Sequence, residues 1–379
     1  MLCISMLLCV ALLMPSTVFA SSFEDKQYEL SEGKLEVSDF ITYTEENNQQ
    51  KLFISQQNLS RIKESLSKQK ISKEETYKEI YRGLGYSERQ IDAIGMDEIE
   101  YMIEEAAEIT VNQQYIIIDE DGNQEAVSKE ECLDFADKVN DERKIELQKM
   151  LSQVKDDQSP PKIDGENVAL AAANNSSYNS ETKGAMKIMT TSTYLNPSSQ
   201  NNNKGWYNFS ATFDWLTNPS QSWTDAFSLQ AIGCAWAQGL SDFTSKMSYT
   251  EILTSGGKTT LTNRGEQKNI IDREIEADGV RYHYELPRSY IDQSIGYYLG
   301  FNNLTFYIRA KARVSSHTEP YAFNVYSRYE HLTKSIQVNS AFGWKIGSKP
   351  GVTVTATVGN NHTEYQSYNY TSYNPRYYK

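Results

Sequence analysis

The residue types best suited to catalysis or metal binding are few and scattered. The four histidines have no second histidine or cysteine at metal-ligand spacing: His283, His317, His331 and His362. The chain also contains no Gly-x-Ser-x-Gly, no His-Glu-x-x-His and no phosphate-cradling glycine loop. These patterns predict no catalytic residue, no metal site and no cofactor, so an enzyme is the less favoured class of function.

One acidic run resembles a calcium-binding loop in composition. Residues 119–125 carry oxygen-bearing side chains at the first, third and fifth places, and Glu130 stands at the twelfth. The sixth place, where such a loop requires glycine, is Gln124. An apolar β-branched run precedes these residues and a helical pattern follows them, so they are interpreted as a hairpin turn.

Cysteine is sparse beyond the N-terminal apolar segment. Only Cys132 and Cys234 remain after residue 20, one in each half of the chain. A small secreted domain held by disulfides would contain far more cysteine, so ordinary hydrophobic cores are expected. The two residues form either one disulfide between the halves or two separately buried thiols.

Tyrosine is concentrated in the last third of the chain. Its ring offers an apolar face and its hydroxyl a hydrogen bond, which suits sugars and protein partners. Half-buried strand positions also favour tyrosine. The Tyr/Ser/Asn-rich tail after Gly359 has little reason for burial, and its tyrosines are predicted to bind a ligand: Tyr365, Tyr368, Tyr370, Tyr373 and Tyr377.

The N-terminus indicates export. Residues 1–20 are uncharged and apolar, and Val18-Phe19-Ala20 places small or medium residues at a cleavage site after Ala20. A membrane anchor is the alternative, but a spanning helix needs about 20 apolar residues and the uninterrupted run is shorter. A secreted, extracellular protein is predicted.

Charge and aromatic content change along the chain. The net charge is −13, with 36 acidic and 19 basic residues in 1–185 but 14 acidic and 18 basic residues in 186–379. All five tryptophans lie in the second part. The shift predicts a domain boundary. Nucleic acid is not expected as a partner, because the basic residues Arg309, Lys311 and Arg313 form only one short row.

Hydrophobic periodicity predicts the secondary structure on each side of that boundary. Apolar residues at intervals of three and four predict helices in 51–154, with a hairpin near Tyr115. Ser87 with Gln90 and Asp97 with Glu100 have the spacing of helix N-terminal capping pairs. After residue 186 the apolar residues alternate with polar ones, which predicts antiparallel strands with one dry and one wet face.

The predicted fold class is α+β multidomain. A signal peptide (1–20) and a polar acidic arm (21–50) precede a small, mainly helical domain with a β-hairpin (51–154). A linker (155–185) then leads to an antiparallel β-sandwich domain (186–379).

Three segments carry a resemblance to a family. The segment 209–216 (FSATFDWL) is followed by Pro219 and Thr224-Asp225, and Tyr329-Glu330-His331 comes later. Together with 84–92 (LGYSERQID), they resemble uncharacterised secreted proteins of Gram-positive spore-forming bacteria. The resemblance implies export from a Gram-positive cell and no particular activity.

The leading hypothesis is a secreted binding or interaction protein whose ligand is a cell-wall polymer, a glycan or another protein. The alternative is a membrane-active, pore-forming protein, because the Ser/Thr-alternating segments 246–262 and 351–361 could refold into a membrane-inserting hairpin. A hydrolase of unknown substrate is the third hypothesis.

Overall fold

The computed structural model describes most of the chain after residue 36. The described residues are 37–46, 49–119, 124–152, 184–196, 205–217, 224–231, 234–237, 239–255, 258–267, 270–276, 279–287, 290–292, 297–314, 323–330 and 369–373. The predicted signal peptide and most of the predicted linker lie outside them. From residue 37 onward the chain forms one compact unit.

Five α-helices are present among the described residues. They are α1 (Gln56–Lys68), α2 (Lys73–Gly83), α3 (Glu88–Ile94), α4 (Met96–Glu105) and α5 (Lys129–Ser152). No helix in this part of the chain is both long and apolar enough to cross a bilayer.

The predicted capping box at α3 is confirmed. The Ser87 hydroxyl accepts from the Gln90 backbone N–H at 3.3 Å, and the Gln90 side chain accepts from the Ser87 N–H at 2.9 Å. The predicted cap at Asp97 is wrong, because α4 begins at Met96 and Asp97 is its second residue. Gly95, with φ of +79°, is both the C-cap of α3 and the N-cap of α4, so no side chain caps the second helix.

The strands outnumber the helices and follow them along most of the chain. They are β1 (Thr42–Glu46), β2 (Gln49–Ile54), β3 (Ala106–Ile118), β4 (Gln124–Val127), β5 (Gly184–Leu195), β6 (Trp206–Trp215), β7 (Thr224–Ala231), β8 (Cys234–Trp236), β9 (Phe243–Ser255), β10 (Lys258–Gln267), β11 (Ile270–Glu276), β12 (Gly279–Glu285), β13 (Tyr290–Asp292), β14 (Tyr297–Val314), β15 (Phe323–Glu330) and β16 (Asn369–Tyr373).

Eleven strands form one sheet, and all its strand pairs within the described residues are antiparallel. Its order is β1-β2-β3-β5-β6-β14-β9-β10, with β4 paired to β3 and with β8 and β13 paired to β14. The predicted hairpin is β3–β4, where Tyr115 is opposite Val127. The start of β1 and β2 at residues 42 and 49 shows that the predicted acidic arm contributes a hairpin to this sheet.

The predicted boundary between a helical domain and a β-sandwich domain does not separate two sheets. Strand β3, from the predicted helical half, pairs with β5 from Ala106 opposite Leu195 to Ile118 opposite Gly184. Gly184 and Ala185, predicted to end the linker, therefore begin a strand. Helices α1–α4 are the connection between the neighbouring strands β2 and β3.

A second sheet of five strands, in the order β11-β12-β7-β15-β16, packs against one face of the larger sheet. Its Phe227 stacks on Phe306 of the larger sheet with ring centroids 3.9 Å apart. Tyr282 of the smaller sheet donates its hydroxyl hydrogen to the Arg309 carbonyl at 3.1 Å. The architecture is thus sandwich-like, with helices as a third layer on the opposite face of the larger sheet.

Candidate functional site

The face of the larger sheet that lies against the helices is unusually polar. In β6, Asp214, Thr212 and Ser210 are opposite Thr305, Tyr307 and Arg309 of β14, so these six side chains share one face. The sequence predicts this face to be wet, but only 1% of Asp214 and 3% of Arg309 is exposed. The alternation was predicted correctly. The burial was not, because the cover comes from helices distant in sequence.

Helix α3 is matched at both ends by charges from the sheet. At its start, the Ser87 hydroxyl and the Arg89 guanidinium both donate to Asp214 Oδ2 at 3.3 Å. At its end, the Lys246 ammonium donates to the Ile94 carbonyl at 2.7 Å. A helix carries partial positive charge at its N-terminus and partial negative charge at its C-terminus, so both sheet charges complement its dipole.

Asp214 lies at the centre of the first contact. Its second oxygen accepts from the Thr305 hydroxyl at 2.9 Å, and Arg89 Nη2 is 3.2 Å from that oxygen. Burial raises the pKa of the Asp214 carboxyl, and Arg89 and the hydroxyl donors act in the opposite direction. A buried carboxylate held in this way positions the helix rather than reacting with a solvent-borne substrate.

A second buried contact joins α4 to the sheet. Arg309 Nε donates to Glu98 Oε1 in an ion pair in which both side chains are largely buried. Tyr307 donates its hydroxyl hydrogen to the same oxygen at 3.0 Å. The Arg309 guanidinium also donates to the Thr244 hydroxyl at 2.8 Å and lies 4.9 Å from the Tyr101 ring centroid. Glu98 and Arg309 therefore fix each other and α4.

Lys187 of β5 makes a third contact with the helical layer. Its ammonium donates to the carbonyl of Gly85, which follows α2 and has φ of +86°. Burial lowers the pKa of Lys187 to about 8, while Asp214, opposite it in β6, acts in the other direction. The protonated lysine is thus less favourable in the folded protein than in the unfolded chain.

This low pKa has a measurable consequence. Below pH 8 Lys187 is protonated in the folded protein, and burial of its charge lowers the free energy of unfolding. Between pH 8 and the ordinary value of 10.5 it releases the proton before the unfolded chain does. The lysine's contribution to stability should therefore rise with pH by about 1.4 kcal/mol per unit. Relative to Lys187→Met, the wild type should gain about 2 kcal/mol between pH 8 and 9.5 in urea unfolding. Parallel pH profiles for the two proteins would contradict this assignment.

The polar face continues beyond the helical layer to a solvent-accessible group of side chains. Trp206 is directly opposite Arg313, and its ring centroid lies 5.9 Å from the Arg313 Cζ and 5.3 Å from the Lys311 Nζ. Trp206 and Lys311 are half-buried, whereas Arg313 is exposed. These three residues are named here the basic–aromatic row.

The backbone beneath the row is held on both sides. Arg313 is opposite Trp206 of β6 on one side and opposite Ala235 of β8 on the other. Just beyond this position, the Ala237 N–H donates to the Lys311 carbonyl at 2.9 Å. The row therefore stands on paired strands rather than on a loop, which limits the entropy lost when a ligand binds.

The row can bind anions and stack on flat rings, but it contains no acid–base pair or nucleophile. Lysine and arginine donate to carboxylates and phosphates, and tryptophan offers the largest apolar face of the side chains. Among the described residues, no group of three or more His, Cys, Asp or Glu side chains could hold a metal ion. The one described histidine, His283, is buried in β12.

The two cysteines are free thiols in different hydrophobic clusters. Cys132 packs with Tyr115 and Ala136, whereas Cys234 belongs to the core between the two sheets. Burial raises the pKa of each to about 12, so neither is a thiolate at neutral pH. This is the arrangement of two separately buried thiols, and the disulfide alternative is not formed.

The predicted tyrosine site is only partly within the described residues. Tyr370 and Tyr373 lie in β16, where they are opposite Tyr326 and Phe323 of β15. Tyr365, Tyr368 and Tyr377 lie outside the described residues.

Sequence reasoning missed the basic–aromatic row as a site. Lys311 and Arg313 belong to the short basic row in the sequence, whereas no local pattern marks Trp206. The missing information was the register, since Trp206 and Arg313 are more than 100 residues apart and meet only when β6 and β14 pair. An aromatic residue at the start of one strand and cations at the end of another are the available signal.

No family model matches the chain, and no curated protein matches it in sequence. Among solved structures, the pilus backbone protein of Streptococcus pneumoniae aligns with a TM-score of 0.18 and 10% identity, over 34% of this chain and 25% of that protein. The collagen-binding domain of a Staphylococcus aureus adhesin aligns with a TM-score of 0.17 and 11% identity, over 33% of this chain and 75% of that domain. The match thus spans only a quarter of the pilus protein, and neither score establishes a shared fold.

Proposed function

We propose that the protein is an exported, non-enzymatic binding protein whose basic–aromatic row contacts an anionic cell-wall polymer or glycan. One observation carries the proposal: an indole and two cations stand together on rigid paired strands at the accessible end of a buried polar face. Sugar rings stack on aromatic faces, and phosphate or carboxylate groups along a polymer pair with lysine and arginine.

The charge distribution supports an anionic ligand. The chain as a whole has a net charge of −13, which disfavours polyanions in general. Residues 186–379, which contain the row, have 18 basic and 14 acidic residues. Binding is therefore local to the row and short-ranged, and it should weaken as salt screens the exposed charges.

The helical layer supports this function by holding the sheet rigid. The contacts between the sheet and that layer bury Asp214, Lys187 and Arg309 of the sheet and Glu98 of α4, so these side chains are not available to a large ligand. The accessible cations Lys311 and Arg313 follow Arg309 along β14, beyond these contacts with the helices. The division explains why one polar face could serve both for packing and for recognition.

Sedimentation with washed Gram-positive cell walls tests the proposal. The full chain should pellet with the walls at low salt. Soluble wall polymer should release it, and so should 0.5 M salt, which shortens the Debye length to about 4 Å. Walls stripped of their anionic polymers by mild acid should retain markedly less protein. Equal retention on intact and stripped walls would contradict an anionic ligand. Release by an added protein fraction, but not by soluble wall polymer or salt, would indicate a protein partner.

A membrane-active protein is the second candidate. The observation that favours it is the hairpin β9–β10, where Leu261 is 63% exposed between the exposed Thr260 and Thr262. The hairpin corresponds to the Ser/Thr-alternating segment 246–262. The second such segment, 351–361, lies outside the described residues. Pelleting with liposomes and release of an entrapped dye would favour this candidate over wall binding.

A further inference from the structure

The two edges of the larger sheet differ in length and charge. At one edge, β1 has five residues and ends in Glu45 and Glu46. At the other, β10 has ten residues, and its central Leu261 is 63% exposed. Short length and charge are the usual protection of an edge strand against pairing with another chain. Strand β1 has both, whereas the middle of β10 has neither.

The outer side of β10 carries a regular row of backbone groups. Ser255 is opposite Lys258 across a two-residue connection, and pairing with β9 continues without a shift to Arg264 opposite Tyr249. In a hairpin with a two-residue connection the flanking pair is hydrogen-bonded, and the hydrogen-bonded pairs then alternate. Thr259, Leu261 and Asn263 therefore direct their N–H and C=O groups away from β9. Within the described residues, no strand pairs with this side.

We propose that β10 pairs antiparallel with β10 of a second copy of the chain, about a two-fold axis at Thr262. In this register Thr262 faces its own copy, and Leu261 is opposite Asn263 of the second copy. The two Leu261 side chains are then diagonal neighbours on one face, within reach of each other. Each exposed leucine thereby gains a second apolar neighbour besides Ile252, which is opposite it in β9.

The charged residues of β10 favour pairing about Thr262 over pairing about Leu261. Pairing about Thr262 places Arg264 of one copy opposite the uncharged Thr260 of the other, before the register shift between Arg264 and Gln267. Pairing about Leu261 would instead place Lys258 directly opposite Arg264, and like charges directly opposite each other are destabilising. Arg264 is already bound within its own copy, because its Nη2 lies 2.9 Å from Glu251 Oε1. It therefore needs no partner from the second copy.

A second copy of β10 is a better occupant than β1 of another molecule. Strand β1 could cover only half of β10, because it has five residues against ten. A β1–β10 contact would also be head-to-tail and leave open edges, whereas the two-fold contact closes on itself. The strand-to-strand contact is small, so the dimer should be weak and concentration-dependent.

Cysteine cross-linking at the proposed axis tests this pairing in the full chain. Thr262→Cys should form a covalent dimer under mild oxidation, since directly opposite residues of an antiparallel pair have Cα atoms at disulfide distance, about 4.5–5.5 Å. Thr44→Cys, an exposed threonine on the opposite edge strand, is the matched control and should stay monomeric. The native Cys132 and Cys234 are buried and should not contribute to cross-linking.

A charge variant supplies the independent measurement. Thr262→Lys places two like charges at the axis and should lower the dimer fraction in sedimentation velocity at least tenfold. Thr44→Lys should leave that fraction unchanged. The proposal is overturned if Thr262→Cys fails to cross-link at high protein concentration, or if it links to Thr44→Cys in a mixture more readily than to itself. Because neither readout involves cell walls, failure here is distinct from failure of the proposed function.

Discussion

Glu98→Gln is expected to lower the free energy of unfolding by about 3–5 kcal/mol, because it leaves the buried Arg309 guanidinium without its counter-charge. The two side chains form an ion pair between α4 and β14, and both are largely buried. Glutamine retains the shape of the side chain and an acceptor for the Tyr307 hydroxyl, so packing changes little. Urea unfolding measures the loss.

A double variant separates the lost charge from lost packing. Replacing both partners, Glu98→Met with Arg309→Met, should restore most of the stability, because two apolar side chains of similar volume need no counter-charge. Some cost should remain, since the Tyr307 hydroxyl loses its acceptor, at about 1–3 kcal/mol. A loss below about 1 kcal/mol for Glu98→Gln would show that solvent reaches Arg309 and that the helices do not seal this face.

Phe227→Ala is expected to cost about 3–5 kcal/mol, because it opens a cavity between the two sheets. The Phe227 ring is fully buried and lies 3.9 Å from Phe306, 4.8 Å from Tyr329 and 5.1 Å from Phe213, measured between ring centroids. It therefore joins a strand of the smaller sheet to two strands of the larger one. Thermal or urea unfolding of the full chain measures the effect.

An exposed aromatic residue provides the control for that variant. Tyr43 on the edge strand β1 is 50% exposed, and Tyr43→Ala should change the free energy of unfolding by no more than about 0.5–1 kcal/mol. Comparable losses for both variants would mean that the second sheet does not pack as described. A biphasic transition for Phe227→Ala alone would show that the sheets unfold separately once their contact is weakened.

Local patterns in the sequence predicted much of the secondary structure. The alternation of apolar and polar residues defined β6 and β14, because each strand buries an apolar face against the smaller sheet. The capping box at Ser87 and the β3–β4 hairpin were predicted because both depend on residues close in sequence. The cap at Asp97 failed because the glycine before α4 adopts a positive φ that also ends α3.

The larger arrangement could not be predicted from local patterns. Glu98 and Arg309 are 211 residues apart, and Ser87 and Asp214 are 127 apart, so nothing local marks them as partners. A strand face bearing aspartate, threonine and arginine has the composition of a solvated surface. The helices that bury it also carry polar residues on the contacting side, such as Gln90, which donates to the Thr212 hydroxyl at 2.9 Å.

The predicted domain boundary illustrates the same limit. Charge and aromatic content change near residue 185, and the strands on both sides of that change nevertheless pair along one sheet. Composition reports how each segment meets solvent, whereas strand pairing depends on backbone groups that every residue carries. A change in composition within one sheet is therefore compatible with a continuous fold.

The affinity of Trp206 variants for anionic wall polymer tests the central claim most directly. Isothermal titration of the full chain should show at least a tenfold weaker Kd for Trp206→Ala, an intermediate value for Trp206→Phe and a weaker Kd for Arg313→Gln. Arg264→Gln, which removes an exposed arginine far from Trp206 in the strand order, should match the wild type. If Trp206→Ala and Arg313→Gln both fold and bind as tightly as the wild type, the basic–aromatic row is not the binding surface.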